Sequence, residues 1–246
     1  MRRFLDTSVI YLRGGAHSAY GVDRALRLID AQRPQAPAFT AWQPVGGGLS
    51  RDRLSGYTFG IAVRAAPEQP GALIERYIAF WSRPRNGPWR ISGYMEVSPG
   101  ALSTSLGDKA TPVVIPAPGL SAMMAADSLF AERASSLGAG VAARDAMSAD
   151  GVLLTTTQLV VGPLAASDYF ESLRSFSISW VPRDARVAAS GDLGFTVGDA
   201  VVTSLGPTGA ASQSFTKYLT VWRKDLDGAW RVLVTGANDR PSPIGD

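Results

Sequence analysis

Cysteine is absent from the 246 residues, and histidine occurs once. The first absence excludes disulfides, thiolate nucleophiles and cysteine-ligated metal, and it leaves the redox compartment open. The second argues against a zinc site, and the second half of the chain has no histidine for a Ser-His-Asp set. Lysine is scarce as well. Lys109, Lys217 and Lys224 are the only three among 24 cationic side chains. The arginines are scattered and the net charge is +3, so nothing reads as a nucleic-acid patch. No apolar run reaches the ~18 residues of a membrane span. Met1-Arg2-Arg3-Phe4-Leu5-Asp6 lacks the long apolar core and cleavage site of a signal peptide. As written, the chain is expected in the cytoplasm, or in the periplasm or medium if residues precede Met1. Apolar residues at 46% and charged ones at 18% suit a globular protein.

The six tryptophans reveal an internal repeat. Trp42-Gln43-Pro44 matches Trp180-Val181-Pro182. Gly56-Tyr57-Thr58-Phe59-Gly60 then matches Gly194-Phe195-Thr196-Val197-Gly198 without a gap. Past a loop that differs by three residues, Tyr77-Ile78-Ala79-Phe80-Trp81 matches Tyr218-Leu219-Thr220-Val221-Trp222. Trp89-Arg90-Ile91 matches Trp230-Arg231-Val232, each after a turn ending in glycine (Gly87, Gly228). Rare residues recurring in order, with gaps only in loops, mark two copies of one unit.

Local patterns give each copy its elements. Val9-Ile10-Tyr11-Leu12 reads as a strand broken by Gly14-Gly15. Val22, Ala25, Leu26 and Ile29 stand at helical spacing, and Pro34 and Pro37 end that helix. Strands are expected near 38–45, 54–66, 73–83 and 88–97. Residues 98–121 read as a Pro/Gly-rich linker, with Val113-Val114-Ile115 as a short edge strand. Ser121 is a candidate N-cap for a helix whose face carries Met123, Ala126, Phe130, Ala134 and Leu137. Gly138 stops it, and a shorter helix follows near 141–147. A strand at 150–154, a helix opening at Gly162-Pro163, and strands near 176–188, 192–204, 213–224 and 229–238 complete the second copy. The chain thus divides into 1–97, the linker 98–121, and 122–246. The first copy lacks the two helices that open the second and begins at Asp6, set opposite Asp150. A start upstream of Met1 is the expected reason, with Arg2-Arg3-Phe4-Leu5 as the tail of a lost helix.

The order helix, helix, strand, helix, four strands, with the phrases Gly194-Phe195-Thr196-Val197-Gly198 and Tyr218 to Val232, resembles the nuclear transport factor 2-like superfamily. Within it the second half is most similar to SnoaL-like and ketosteroid-isomerase-like domains, including bacterial ones of the domain of unknown function 4440 type. The resemblance implies an α+β fold class: two cone-shaped α+β barrel repeats, each a curved antiparallel sheet with helices on its concave side and an apolar pocket between. Glycines 56, 60, 194 and 198 inside strand patterns agree, since they permit bulges and bends. The resemblance also implies pairing of the two repeats, or of two chains, through their sheets. In the first copy no long helix is available for the concave face.

Steroid-isomerising members of that superfamily use a carboxylate base, with a tyrosine and a protonated aspartic acid as oxyanion hole. The corresponding neighbourhoods here, Leu154-Thr155-Thr156-Thr157 and Tyr218-Leu219, carry no carboxylate, so that activity is not carried over. Strand alternation puts Tyr218, Thr220 and Trp222 on one face and Lys217, Leu219, Val221 and Arg223 on the other, without saying which is concave. Pocket candidates are Phe130, Thr155, Thr196, Asp199, Tyr218, Thr220, Trp222 and Asn238. His17, in a glycine-rich turn, is either simply solvated or an acid–base group at a pocket mouth. Arg90 and Arg231 are expected to stack on Trp89 and Trp230.

Two readings follow. One is a non-catalytic module that binds a small apolar molecule or assembles with itself, with no cofactor, metal, nucleic acid or membrane partner. The other is a SnoaL-like isomerase, cyclase or hydratase acting on a small apolar carbonyl compound. It would use Asp199 as base and Tyr218 or Thr196 at the oxyanion. It requires Asp199 to point into the cone.

Overall fold

A computed structural model describes residues 1–31, 39–65, 73–97, 117–173, 175–206 and 208–242. The expected strand at 113–115, most of the linker, and the prolines at 34, 37, 67 and 70 lie outside the described residues. The first half contains β1 (Leu5–Leu12), β2 (Ala19–Tyr20), α1 (Val22–Ala31), β3 (Phe39–Leu49), β4 (Ser55–Ala65), β5 (Leu73–Ser82) and β6 (Arg90–Val97). The second contains α2 (Leu120–Leu137), α3 (Ala139–Ala146), β7 (Met147–Leu154), β8 (Leu159–Val161), α4 (Pro163–Ser172), β9 (Phe176–Val187), β10 (Leu193–Leu205), β11 (Ala211–Lys224) and β12 (Trp230–Asp239). Helix α2 is capped by Gly119 in a left-handed conformation rather than by Ser121, and Gly138 ends it as expected.

Each half is one six-stranded sheet, ordered β2-β1-β6-β5-β4-β3 and β8-β7-β12-β11-β10-β9. The fold is α+β, in two repeats. The sheets are mixed rather than purely antiparallel. After the antiparallel run β3 to β6, the first strand joins the last in parallel, and β7 does the same with β12. The ladders also correct one equivalence. Leu5 pairs with Ile91 and Met147 with Val232, which sets Asp6 opposite Ser148, not Asp150.

The repeated glycines work as the bends require. A Cβ on Gly198 would come within 2.3 Å of the Val181 carbonyl oxygen, and one on Gly60 within 2.1 Å of that of Gln43. The ladder slips next to both, between Val197 and Gly198 and between Pro44 and Gly46. Such bulges bend strands and increase their twist.

The two sheets pack on each other. Ile10, Leu12, Ile78, Phe80, Met95 and Val97 from the first half share one core with Val152, Phe195, Val197, Leu219, Val221 and Val234 from the second. Phe195 inserts over Gly93, where a Cβ would lie 2.8 Å from its ring, and meets Phe80 at 4.9 Å between centroids. The pairing is pseudo-two-fold, as in an isologous dimer held within one chain. The turn after β3 and the turn after β9 exchange bonds. Asp52 Oδ2 accepts from the Ser190 amide at 3.0 Å, and Asp192 Oδ2 from the Arg51 amide at 3.0 Å. Arg76 and Lys217 hold equivalent places on β5 and β11, and each reaches backbone carbonyls of the opposite half. Arg76 donates to Thr156 and Thr157, and Lys217 Nζ donates to Arg13 at 2.7 Å.

Lys217 is fully buried, and it also donates to Asp239 O at 2.8 Å. Burial pushes its amine down to about 7, against the pull of Asp239 and Asp199, while Arg240 lowers it further. Below about pH 7 both folded and unfolded chains hold this proton, so the penalty for burying the charge is complete. As pH climbs from about 7 towards the ordinary 10.5, only the unfolded chain keeps the proton and folding stability rises. The gain is at most about 1.4 kcal/mol per pH unit. Urea titrations from pH 7 to 10 are expected to show this slope in the wild type and to lose it in Lys217→Met. In the same assay Phe195→Ala is expected to cost about 3–5 kcal/mol through the cavity it leaves between the sheets.

Candidate functional site

The face of the second sheet turned away from the first is covered by helices. Met123, Phe130 and Ala134 of α2 pack on Trp222, Ala185 and Val232, with Ala142, Ala143 and Ala166 alongside. Small residues on α3 and α4 leave space between helices and sheet, and a cavity of about 250 Å³ opens there. Its walls are Phe130, Phe170, Ile178, Trp180, Ala200, Val202 and Tyr218, with the threonines Thr155, Thr156, Thr216, Thr220 and Thr235. The face bearing Tyr218, Thr220 and Trp222 is thus the helix-covered one, and Leu219 and Val221 face the other sheet.

Of the expected pocket residues, Phe130, Thr155, Tyr218 and Thr220 come together around the cavity. Thr220 and Thr235 share a hydroxyl contact at 2.7 Å. Thr196 and Trp222 lie behind the wall. The Trp222 indole donates to Thr196 Oγ1 at 2.9 Å, and both are buried. Trp81 and Thr58 repeat that bond at 3.0 Å in the first half, which marks it as structural.

Asp199 and Asn238 are corrections. Alternation along β10 places Ala200 and Val202 at the cavity and turns Asp199 to the opposite face. There it is paired with Arg183 at 3.1 Å and Arg240 at 3.4 Å, so the requirement that it point into the cone is not met. Asn238 does not rim the cavity either. Its Nδ2 donates across the inter-sheet boundary to Leu12 O at 3.1 Å and Glu96 O at 2.7 Å. His17 is half-buried in the turn between β1 and β2. The arginine over Trp89 is Arg83, at 4.7 Å, rather than Arg90. Arg231 bonds to Asp145 O instead of stacking.

The residue that sequence reasoning missed is Asp127. It lies on the buried stripe of α2, one turn after Met123, and is fully buried. Trp180 Nε1 donates to its Oδ1 at 3.0 Å, and the Tyr218 hydroxyl donates to its Oδ2 at 2.8 Å. Burial pushes the Asp127 carboxyl up, against the lowering effect of hydrogen bonds from Thr196, Trp180 and Tyr218. Burial, and then the adjacent Asp127, hold the Tyr218 phenol well above the ordinary tyrosine value. The signal was an acid at a core position of an apolar helical stripe, where only a paired carboxylate is tolerated.

The matching face of the first half is built differently. Arg13, Arg64, Glu75, Tyr94 and Glu96 stand where the second half has Thr155, Val202, Thr216, Thr235 and Ala237. Arg13 pairs with Glu96, and Arg64 with Glu75 at 3.0 Å. Trp42, the counterpart of Trp180, donates to the Tyr94 hydroxyl at 3.1 Å, and Tyr94 donates to Glu96 at 3.0 Å. Burial raises the Glu96 carboxyl while Arg13 lowers it. Sheet-borne groups here receive the indole that Asp127 of α2 receives in the second half.

No protein-family model matches this sequence, and no curated protein matches it. Solved structures similar to about half of the chain include a ketosteroid isomerase-like protein from Erwinia carotovora atroseptica. It is 20% identical and covers 50% of this chain and 96% of its own, at a TM-score of 0.43. A nuclear transport factor 2-like protein from Salmonella enterica serovar Typhimurium is 11% identical over 51% of this chain and 94% of its own, with a TM-score of 0.41. The association domain of C. elegans CaMKII is 12% identical over 48% and 93%, with a TM-score of 0.38. They include members of the superfamily that the sequence phrases resemble.

Because folding raises the Asp127 pKa, the folded chain keeps this proton to higher pH than the unfolded one. Its contribution to stability is therefore lost as pH rises from about 4 through the raised folded value. The stability of Asp127→Asn relative to wild type is expected to improve over that range. Asp127→Ala is expected to cost about 1–3 kcal/mol by stranding the Trp180 and Tyr218 donors. Denaturant titrations from pH 4 to 7 measure both.

Proposed function

We propose that the second half binds a neutral, largely apolar small molecule in its cavity, without acid–base turnover. The observation that carries this reading is the make-up of the wall, which is aromatic and aliphatic side chains interrupted by threonine hydroxyls. Such pockets bind by apolar burial and orient the ligand with a few polar groups. An apolar cavity of ~150 Å³ takes benzene, so about 250 Å³ suits a molecule of about ten carbons. One wall group asks for a partner. Thr216 Oγ1 is buried with no hydrogen-bond partner among the described residues. A ligand oxygen placed there would satisfy it, and an unpaired buried hydroxyl is costly.

A second reading rests on one observation, the Tyr218–Asp127 hydrogen bond at the cavity wall. In an isomerase, cyclase or hydratase, the Tyr218 oxygen would take a proton from the ligand as Asp127 received the phenol's own. The raised phenol value counts against this second reading, because a tyrosine held protonated is a poor base.

1-Naphthol titrated against tryptophan emission is expected to bind saturably, with Trp180 as reporter. Thr216→Val is expected to weaken 1-naphthol about five- to tenfold, one hydrogen bond's worth, and to leave naphthalene unchanged. Ala200→Leu is expected to block both. Absence of saturable binding would contradict the proposal. Turnover of a carbonyl ligand that disappears in Tyr218→Phe would replace it with the second reading.

A further inference from the structure

The cavity of the second half is completed by the first. Val97, the last residue of β6, forms part of its wall. A Cβ on Gly236 would lie 2.9 Å from the Val97 methyl, so β12 and β6 touch there without a gap. The backbone next to Val97 is fixed from the other side, because Glu96 O accepts the Asn238 amide at 2.7 Å.

Val97 has Arg76 as its cross-strand partner. Residues facing each other in a ladder share a face, so both project towards the second half. The Arg76 guanidinium ends on the turn joining β7 to β8. Nη1 donates to Thr156 O at 2.6 Å and Nη2 donates to Thr157 O. That turn is held internally through Thr155. The Thr155 amide donates to Gln158 O at 3.0 Å, and Thr155 Oγ1 accepts from the amides of Gln158 at 3.0 Å and Thr157 at 3.3 Å. Thr155 and Thr156 line the cavity, while residues 156–158 are exposed to solvent. The turn is therefore at once a wall of the cavity and its outer edge. The carbonyls of Thr156 and Thr157 fall between the two strands, and Arg76 supplies their donors.

The pseudo-symmetric contact shows what this one is not. Lys217, in the place equivalent to Arg76, is fully buried on Arg13 O and Asp239 O. It cannot let go without parting the sheets. Arg76 is only half-buried and grips an exposed turn, so it can release while the inter-sheet core stays intact. Local openings of this kind occur far below the free energy of global unfolding.

We propose that Arg76 is a positioning residue for the cavity of the opposite half: its guanidinium latches the Thr155–Gln158 turn, and release of that latch lets the ligand in and out. The proposal rests on the reading that the cavity takes an apolar ligand. It adds that the first half, which has a charged cluster in place of such a cavity, controls access to the second. A planar two-pronged donor suits two successive carbonyls, and a lysine ammonium cannot reproduce it.

Hydrogen exchange on the full chain reads the latch directly, without ligand. In Arg76→Gln the amides of Thr157 and Gln158 are expected to exchange about tenfold faster, with β11 and β12 unchanged. Arg76→Lys is expected to fall between Arg76→Gln and wild type, and it serves if the glutamine variant folds poorly. Stopped-flow release of 1-naphthol is expected to quicken about tenfold in Arg76→Gln. Unchanged exchange at the turn would overturn the proposal. So would acceleration spread evenly over both sheets, which would make Arg76 a general clamp between halves. If wild type binds no 1-naphthol while the turn still loosens in Arg76→Gln, the gating role falls with the binding reading and not through the Arg76 contact.

Discussion

Everything in this molecule depends on one apolar layer, the face-to-face contact of its two sheets. A sheet with alternating apolar residues on both faces must cover both. In each half one face carries Ile78 and Phe80, or Leu219 and Val221, and these cover each other. The layer is packed closely enough that Phe195 needs a glycine, Gly93, opposite it. Polar groups also cross it: Asp52 and Asp192 each accept an amide of the facing turn, Arg76 and Lys217 reach the opposite half from equivalent places, and Asn238 donates to Leu12 O and Glu96 O. The symmetry of contact is that of a dimer, while the covalent connection lets the two partners differ in sequence.

They do differ, on their outer faces. In the second half the long helix α2 brings Asp127 to the indole of Trp180 and the hydroxyl of Tyr218, and the remaining space is an apolar cavity. In the first half the indole of Trp42 meets Tyr94, which leans on Glu96, itself paired with Arg13. Both solutions give the same tryptophan an acceptor. One takes it from a helix and leaves room for a ligand. The other takes it from the sheet and fills the same positions with ion pairs. Breaking either by removing one partner leaves a buried donor or charge unpaired, which is why neither is expected to tolerate alanine.

Much of this fold is legible in the sequence because the repeat is written in tryptophan and glycine. Trp81 and Trp222 bond to Thr58 and Thr196 in both halves, and Gly60 and Gly198 admit the backbone of a neighbouring strand, so these positions resist change. Strand alternation separates Tyr218 and Thr220 from Leu219 and Val221, but a single strand cannot say which set meets a helix and which meets another sheet. Asp199 and Asn238 mislead for that reason. Asp199 stands midway along β10 and Asn238 near the end of β12, and each belongs to the face between the sheets. Asp127 is hidden by the opposite effect. A carboxylate on an apolar stripe reads as an interruption until the three donors around it are seen. The parallel pairing of β1 with β6 and the latch of Arg76 on the other half depend on long-range register that local patterns do not encode.

The central claim is that the sheets pair to build one apolar binding cavity in the second half, with a wall contributed by the first. Intermolecular nuclear Overhauser effects between 1-naphthol and methyl-labelled protein test it most directly. The account predicts contacts to the methyls of Val202 and Thr155 together with Val97, since all three line the same cavity. Contacts confined to Val22 and Leu5, beside the arginines of the first half, or contacts to Val202 and Thr155 without Val97, would contradict it.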